Sequence, residues 1–392
     1  MVSDEHAEPA NLRELRILVL HNRDFDGDGA SASMVRDRDE DRDLQEVSRF
    51  ESATTAENVS RGLVSRGHFV EVQALGSEDL GDLLAQLRKD PPDLVFNLCK
   101  SLGGDARHEI LVPSLLELLG IPYTGSGSLC LGLCLHKFQT KQILRAASIP
   151  TPPSVMLPVA GSSVAEELAI AENIGYPLIL KLGQTDGSVG ISDASIIHND
   201  EAFLRQLAHL RRRYRQPILA ERYIAGREIY VSMLGNAPLR ILPMQEVDFS
   251  QLPSHLAPIV GESAKWEPSS PEYQGTSAVE LGPMPGTVRA RVELIARQAF
   301  SILDVSDYGR CDIRLSANGT PYVIDVNANC ALADGAGFAR SAALAGLSYD
   351  QLVEQIAISA LQRAAHLQAQ KPGERDASER VSRSARRPAS AA

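Results

Sequence analysis

The residues best placed to do chemistry lie between Tyr308 and Asn329, in YGRCDIRLSANGTPYVIDVNAN. Two runs with strand character, GRCDIRL and YVIDVN, flank Asn318-Gly319. That dipeptide predicts a two-residue type I′ turn, which needs positive φ at both central residues. In such a turn Ala317 faces Thr320. Counting outward sets Asp312 opposite Asp325 and Arg310 opposite Asn327, with all four on one face because side chains two apart share a side. Directly opposed Cβ atoms lie about 4.5–5.5 Å apart, where like charges repel. Two carboxylates and an amide oxygen held that close are hard ligands of the kind Mg²⁺ takes together with phosphate oxygens. A hairpin with a solvated charged face is the alternative, and a three-residue loop would break the pairing.

Upstream, Lys181 ends the apolar run YPLILKLG and leads into QTDGSVGIS. Gly183, Gly187 and Gly190, with Ser188, would let backbone N–H groups approach an anion closely. The order G-x4-G-K-[ST] is absent, so this is no Walker A loop. The loop sits between strands and not at a helix N-terminus, so it is no dinucleotide fingerprint. An ordinary β-turn is the plain alternative to a lid over phosphates. Glu221-Arg222-Tyr223-Ile224 leaves a strand for a turn, with Glu228 just beyond. A hinge of free backbone groups can read an adenine edge, and a carboxylate can take two ribose hydroxyls. Exposed strand residues are the plain alternative. Lys137 opens a helix, and Lys265 lies in ESAKWEP beside Trp266, the only tryptophan. Both are ordinary places for solvated lysines.

These residues need a scaffold. LRILVLHN (15–22) is a continuous apolar run, the mark of a buried parallel strand. A helix from about Thr55 to Arg66, the strand FVEVQAL, the helix SEDLGDLLAQLRK, the strand DLVFNLC and the short helix VPSLLELLG follow. That alternation predicts an α/β fold with a doubly wound parallel sheet. Residues 23–46 are charged and nearly free of large apolar side chains, as in an insertion or long loop. Asp24, Asp26 and Asp28 with Gly29 start like a calcium loop, but Ala30-Ser31-Ala32 does not continue it. The expected divisions are a loose leader over 1–12, an N-terminal domain over 13–136, a central part over 137–226 and a third part over 227–369. The third part holds a polar segment, Gln251–Gly275, and the hairpin. A basic, Ser/Ala/Arg-rich tail occupies 370–392.

Composition narrows the function. A net charge of −11 on 392 residues argues against a general nucleic-acid or anionic-membrane binder. Cys99, Cys130, Cys134, Cys311 and Cys330 form neither a zinc spacing nor an even disulfide set, so buried reduced thiols are expected. MVSDEHAEPAN has no apolar core and no apolar run approaches 18 residues, so neither a secretory signal nor a membrane span is expected. A cytoplasmic protein follows.

The combination is more specific than its parts. A lysine before a helix, a strand lysine with a glycine loop, a Glu hinge and a later hairpin with paired acids and Asn together resemble the ATP-grasp superfamily. Within it the chain is similar to the D-alanine–D-alanine ligase family. LLELLGIPYTGSGSLCLGLCLHKFQTKQIL resembles that family's entry into its central domain. PLILKLGQTDGSVGIS resembles its phosphate-covering loop, ILAERYIAGREIYVSMLGN its adenine hinge, and YGRCDIRL with YVIDVNAN its metal-binding hairpin. The likeness covers roughly residues 93–365. It implies an N-terminal Rossmann-like domain followed by two ATP-grasp subdomains, with ATP and Mg²⁺ (or Mn²⁺) as cofactors. By the same likeness, Lys137 and Lys181 contact ATP phosphates, and Gly187, Ser188 and Gly190 cover them. Glu221 accepts from the adenine amino group, Arg222 and the backbone at Ile224 complete the hinge, and Glu228 holds the ribose. Lys265 reaches the γ-phosphate. Asp312, Asp325 and Asn327 bind the metal, and Arg310 stabilises the reacting acyl or phosphoryl group.

The sequence also departs from the family. Asp325 stands for a glutamate and Trp266 for a tyrosine. Cys99-Lys100 replaces His-Gly, and Cys330-Ala331 replaces Pro-Gly. The serine that would hold the acceptor's carboxylate falls near Ala336-Gly337, and the N-terminal Gly-rich signature with its glutamate is absent after LVLHN. Three readings stay open. One is a ligase for D-alanine or a related dipeptide, and one is an ATP-grasp ligase for other amino acids or peptides. The third is an inactive nucleotide-binding homologue, against which the retained lysines, acids, Arg310 and Asn327 argue. Small amino acids or dipeptides are the implied partners, and a homodimer is common in the family.

Overall fold

The computed structural model describes residues 14–23, 40–159, 163–185 and 187–370. The leader, the Asp24–Asp28 run and the tail beyond Gln370 lie outside them. The chain runs through β1 (Arg16–Asn22), α1 (Glu40–Ser65), β2 (Phe69–Leu75), α2 (Leu80–Lys89), β3 (Leu94–Asn97), α3 (Leu111–Leu119) and α4 (Ser128–Leu135). Its three strands make a parallel sheet ordered β2-β1-β3. Central β1 buries Ile17, Leu18, Val19 and Leu20, as a strand covered on both faces must. α1 starts at Glu40, inside the segment expected to be loop. Its Glu, Arg, Leu and Gln residues are good helix formers, and extending an existing helix adds one hydrogen bond per residue fixed. SLCLGLCL shows no amphipathic stripe yet forms α4, because Cys130, Leu131, Cys134 and Leu135 are all buried.

The central part holds α5 (Lys137–Ala146), β4 (Ser154–Leu157), α6 (Val164–Ile174), β5 (Leu178–Leu182), β6 (Ile196–Ile197), α7 (Asp200–Arg213) and β7 (Ile218–Arg222). Its sheet is antiparallel, ordered β4-β7-β5-β6. The third part holds β8 (Gly226–Leu234), β9 (Arg240–Ile241), β10 (Gln245–Asp248), α8 (Glu262–Trp266), α9 (Pro271–Gln274) and β11 (Ser277–Glu280). It continues with α10 (Gly286–Leu303), β12 (Tyr308–Ser316), β13 (Pro321–Asn327), α11 (Gly337–Leu344) and α12 (Tyr349–Ala369). Its sheet is ordered β11-β10-β8-β12-β13, with β9 beside β8. β7 and β8 are consecutive but belong to different sheets, so the turn between them is the joint of the cleft. Gly226 sits there at φ +135°, and a Cβ would collide with the Leu315 carbonyl oxygen. α11 and α12 share a core with Ile17, Val19, Leu94 and Phe96 of the first sheet. Among the described residues no helix is long and apolar enough to cross a membrane.

The hairpin corrects one expectation. Ser316, and not Ala317, closes it against Thr320: Ser316 N–H donates to Thr320 O at 3.0 Å, and Gly319 N–H to Ser316 O at 2.8 Å. The loop is therefore three residues, with Gly319 at φ +78°. Near the turn this shifts every pair by one, giving Ile313↔Val323, Arg314↔Tyr322 and Leu315↔Pro321. A β-bulge then leaves Ile324 as the extra residue and restores Asp312↔Asp325 and Arg310↔Asn327. The three-residue loop does not break the functional pairing, because the bulge cancels it.

Candidate active site

Alternation along β12 and β13 turns Arg310, Asp312, Asp325 and Asn327 to one face. The face is not a solvated one, since Asp312 is 7% exposed. Two cations, one for each acid, relieve the repulsion expected there. Arg310 makes a bidentate pair with Asp312, Nε to Oδ1 at 2.6 Å and Nη2 to Oδ2 at 2.8 Å. Lys137 Nζ reaches Asp325 Oδ2 at 2.9 Å. Asn327 donates to Asp312 Oδ2 at 3.1 Å. The two carboxyls titrate in opposite directions. Burial raises Asp312 despite Arg310. At Asp325 burial is outweighed by the Lys137 ammonium, with Lys181 and Lys141 adding to it, and the carboxyl is held down at about 2.

A second knot of charge faces this one. Glu221 on β7 is 1% exposed and pairs with Lys181 on β5 and with Lys141 on α5, the latter at 2.8 Å. Burial alone would raise Glu221, but the two ammonium groups overcome it and lower it. Lys181 faces its Oε1 and Lys141 its Oε2, so each carboxylate oxygen carries an ammonium partner. Lys141 also donates to Thr151 Oγ1 at 3.3 Å and to Ile324 O at 3.1 Å. Ile324 is the bulged residue, so one buried lysine ties the β4-β7-β5-β6 sheet to the strand carrying Asp325. Glu228 at the start of β8 pairs with Arg314 at 3.0 Å and accepts from Tyr230 Oη at 3.3 Å.

Two loops close over these knots. Gly187, Ser188 and Gly190 all have positive φ, at +74°, +62° and +73°. For a serine that is strained, a feature that collects at ligand-binding loops. Trp266 on α8 donates its indole N–H to Gly187 O at 2.9 Å, and Gly190 N–H donates to Glu262 at 2.7 Å. The glycine loop and the segment around α8 are thus latched to each other. The latch sets Lys265 over the acids, where burial, joined by the Arg310 charge, lowers its pKa.

Between the two antiparallel sheets lies a cleft that opens to solvent. Lys137, Lys181, Gly187, Ser188, Glu221, Arg222, Ile224, Glu228, Lys265, Asp312, Asp325 and Asn327 all line it. Arg310 and Gly190 are bonded to the site but do not line that cleft. Arg222 turns its guanidinium back to Ile174 O at 3.2 Å, which leaves its backbone as the hinge element. The sequence reading missed Lys141, Arg314 and Tyr230. Lys141 is one helical turn beyond Lys137 and Arg314 two residues beyond Asp312, so both share a face with a residue already singled out.

The donor set fits a hard cation. No group of three or more His, Cys, Asp or Glu clusters among the described residues, so the protein offers two carboxylates and an amide. That is a partial shell of the kind Mg²⁺ completes with water and phosphate oxygens.

Residues 143–358 match the family model described as the D-ala D-ala ligase C-terminus, more than half of the chain. The chain belongs to the D-alanine–D-alanine ligase family. This is a family of ATP-dependent ligases, and its fold is the ATP-grasp fold. The D-alanine–D-alanine ligase of Synechococcus sp. (strain JA-3-3Ab) is 32% identical over 327 residues, which is 82% of this chain and 92% of that protein. The uncharacterized protein y4sG of Sinorhizobium fredii is 30% identical over 316 residues, 77% of this chain and 85% of that one. The crystal structure of the Bacillus anthracis D-alanine–D-alanine ligase complexed with ATP superposes with a TM-score of 0.66. It covers 91% of this chain and 99% of its own at 23% identity, a likeness of fold.

Proposed function

We propose that the protein joins the carboxylate of one amino acid to the amine of another amino acid or small peptide, using ATP and passing through an acyl phosphate. The observation that carries this is one cleft in which Lys137, Lys181 and Lys265 meet Asp312, Asp325 and Asn327 beneath a latched glycine loop. A carboxylate is a poor electrophile, and phosphorylation gives it a leaving group. The carboxylate oxygen attacks the γ-phosphorus and ADP leaves. The amine then attacks the acyl carbon, phosphate leaves, and the amine's proton passes to phosphate or water.

In this reading Lys181 and the loop N–H groups hold the phosphates, and Lys265 faces the transferred group. Glu221, held by Lys141 and Lys181, takes the adenine amino group, with the backbone at Ile224 beside it, and Glu228 takes the ribose. Asp312, Asp325 and Asn327 would hold Mg²⁺, which supplies charge neutralisation for the phosphates. Arg310 faces the acyl group and steadies the oxyanion. The latch of Trp266 on Gly187 excludes water from the acyl phosphate. A homodimer in the cytoplasm fits the family. Phosphate release from ATP–Mg²⁺, measured against pairs of D- and L-amino acids and dipeptides, tests the reading. Stimulation by a carboxylate–amine pair is expected, and silence across the panel would refute it.

A further inference from the structure

Gln245 stands in the same cross-strand row as the acids. On β10 it pairs with Tyr230 of β8, Tyr230 pairs with Asp312 of β12, and Asp312 pairs with Asp325 of β13. Opposed residues share a face, so all four project toward the same side of the sheet. The Arg310 guanidinium lies over the Tyr230 ring, 4.2 Å from its centroid. Arg310 gives Nε and Nη2 to Asp312, which leaves Nη1 outside that pair. A Cβ at Gly337 would lie 3.8 Å from Nη1 and 3.6 Å from Gln245 Oε1. A hydrogen-bond donor and an acceptor therefore flank the first residue of α11, and no side chain caps that helix. Gln245 is 2% exposed and its Oε1 has no hydrogen-bond partner. A buried amide oxygen left without a donor is costly, and each such group calls for an explanation.

We infer that Gln245 is a specificity-determining residue of the amine-acceptor subsite, its Oε1 accepting an N–H or O–H from the side chain of the incoming amino acid. The inference rests on the ligase reading above. Arg310 faces the reacting acyl group, so the nucleophile must stand beside Arg310, and Gln245 borders that place. The acceptor's carboxylate lies at the uncapped N-terminus of α11, where the helix dipole and free N–H groups favour an anion. The acceptor is then an amino acid with a hydroxyl, amide or amino side chain. A methyl side chain would leave Oε1 buried and unpaired. Sites built around a buried polar group reject analogues that lack its partner far more strongly than apolar pockets reject a missing methylene.

The test is phosphate release with acceptors of similar size, alanine against serine and 2,3-diaminopropionate in both chiralities. Each is offered with a panel of amino acids as the carboxylate partner, to wild type and to Gln245→Leu. Wild type should favour the donor-bearing acceptors in kcat/KM by about tenfold or more, and Gln245→Leu should bring the ratio to within about threefold at an unchanged KM for ATP. Gln245→Glu keeps an acceptor oxygen and should keep the preference, which covers the case in which the leucine variant does not fold. Alanine performing as well as serine in wild type overturns the assignment, as does an unchanged preference in Gln245→Leu. Release that ignores the acceptor's side chain removes only the role of Gln245. No release with any pair removes the ligase reading and this role with it.

Discussion

The two ends of the reacting face are built in different ways. The nucleotide end lies between the two antiparallel sheets and is a lattice of ion pairs: Lys137 with Asp325, Lys141 and Lys181 with Glu221, Arg314 with Glu228. The acceptor end, around α11, is seated on the core shared with the first sheet, where Cys330, Leu332 and Phe338 pack against Val19 and Phe96. Beside it Gln245 Oε1 and Ser341 Oγ are buried without a hydrogen-bond partner. The difference has a chemical reason. Phosphates and divalent cations are recognised by charge, and only a few residue types supply it. An amino-acid side chain is recognised by shape and one or two hydrogen bonds, which many residues can supply. The departures read in the sequence, at Cys99-Lys100, Cys330-Ala331 and near Ala336-Gly337, accordingly spare the residues expected to hold phosphates and metal.

The largest effect is expected from Lys141→Met. Lys141 is 2% exposed and bridges Glu221, Thr151 and the bulged Ile324. Removing one partner of a buried pair costs about 3–5 kcal/mol. Denaturant unfolding should show that loss, and KM for ATP should rise in whatever folded fraction remains. A variant as stable as wild type would mean that the ion-pair lattice does not organise the nucleotide end.

Asp312→Asn comes next. The amide keeps the shape and an oxygen but removes the charge that faces Arg310 and that would help hold a cation. Turnover should fall about 10²–10³-fold, as when one charge-stabilising group is lost from a reacting centre. Circular dichroism should remain native. Near-normal phosphate release from the folded variant would take the hairpin out of the chemistry and leave the contrast between the two ends without a basis.

Legibility in the sequence follows the same divide. The strand–helix alternation and the apolar run of β1 were readable because burial on both faces leaves no other pattern. The facing of Asp312 and Asp325 was readable by parity, though the turn was misjudged. Asn318-Gly319 belongs to a three-residue loop, and the bulge at Ile324 returns the one residue that the loop takes. Two shifts cancelled, and nothing local in IDVN announces a bulge. Lys141 shared a helix face with Lys137, but its burial, like the placing of Gln245, exists only once β7, β10 and α11 come together. An isolated lysine or glutamine carries no sign of being 2% exposed. The start of α1 at Glu40 was hidden for another reason: its first turns lack the apolar stripe from which helices are usually recognised.

A smaller effect separates the two ends in solution. Trp266 is the only tryptophan, and its indole N–H holds the glycine loop at Gly187. Its fluorescence should change when ATP–Mg²⁺ binds and stay put when an amino acid is added alone. Trp266→Phe removes one neutral hydrogen bond, worth about 1 kcal/mol, so KM for ATP should rise roughly fivefold. An equal response of Trp266 to an amino acid alone would show that the acceptor end moves the lids as well, and the two regions could no longer be treated apart.

The smallest expected effect lies beneath the acceptor end, where α1 and β2 meet α12. His68 is buried there. Its Nδ1 accepts from Leu15 N–H at 3.4 Å, and its Nε2 faces Glu354 Oε1 at 3.7 Å. Burial lowers its pKa below the usual 6.5, with Glu354 opposing and Arg66 assisting. The unfolded chain therefore takes up this proton at higher pH than the folded one does. The contribution to stability is full above about 6.5 and is lost as pH falls through that value toward the folded pKa. Melting temperatures should decline from pH 7.5 to pH 5.5, and His68→Gln should flatten the decline. Because α12 shares its core with α11, the decline should be accompanied by a rise in KM for the amino acids before any rise in KM for ATP. If KM for ATP rises first, the acceptor end is not the part that this joint supports.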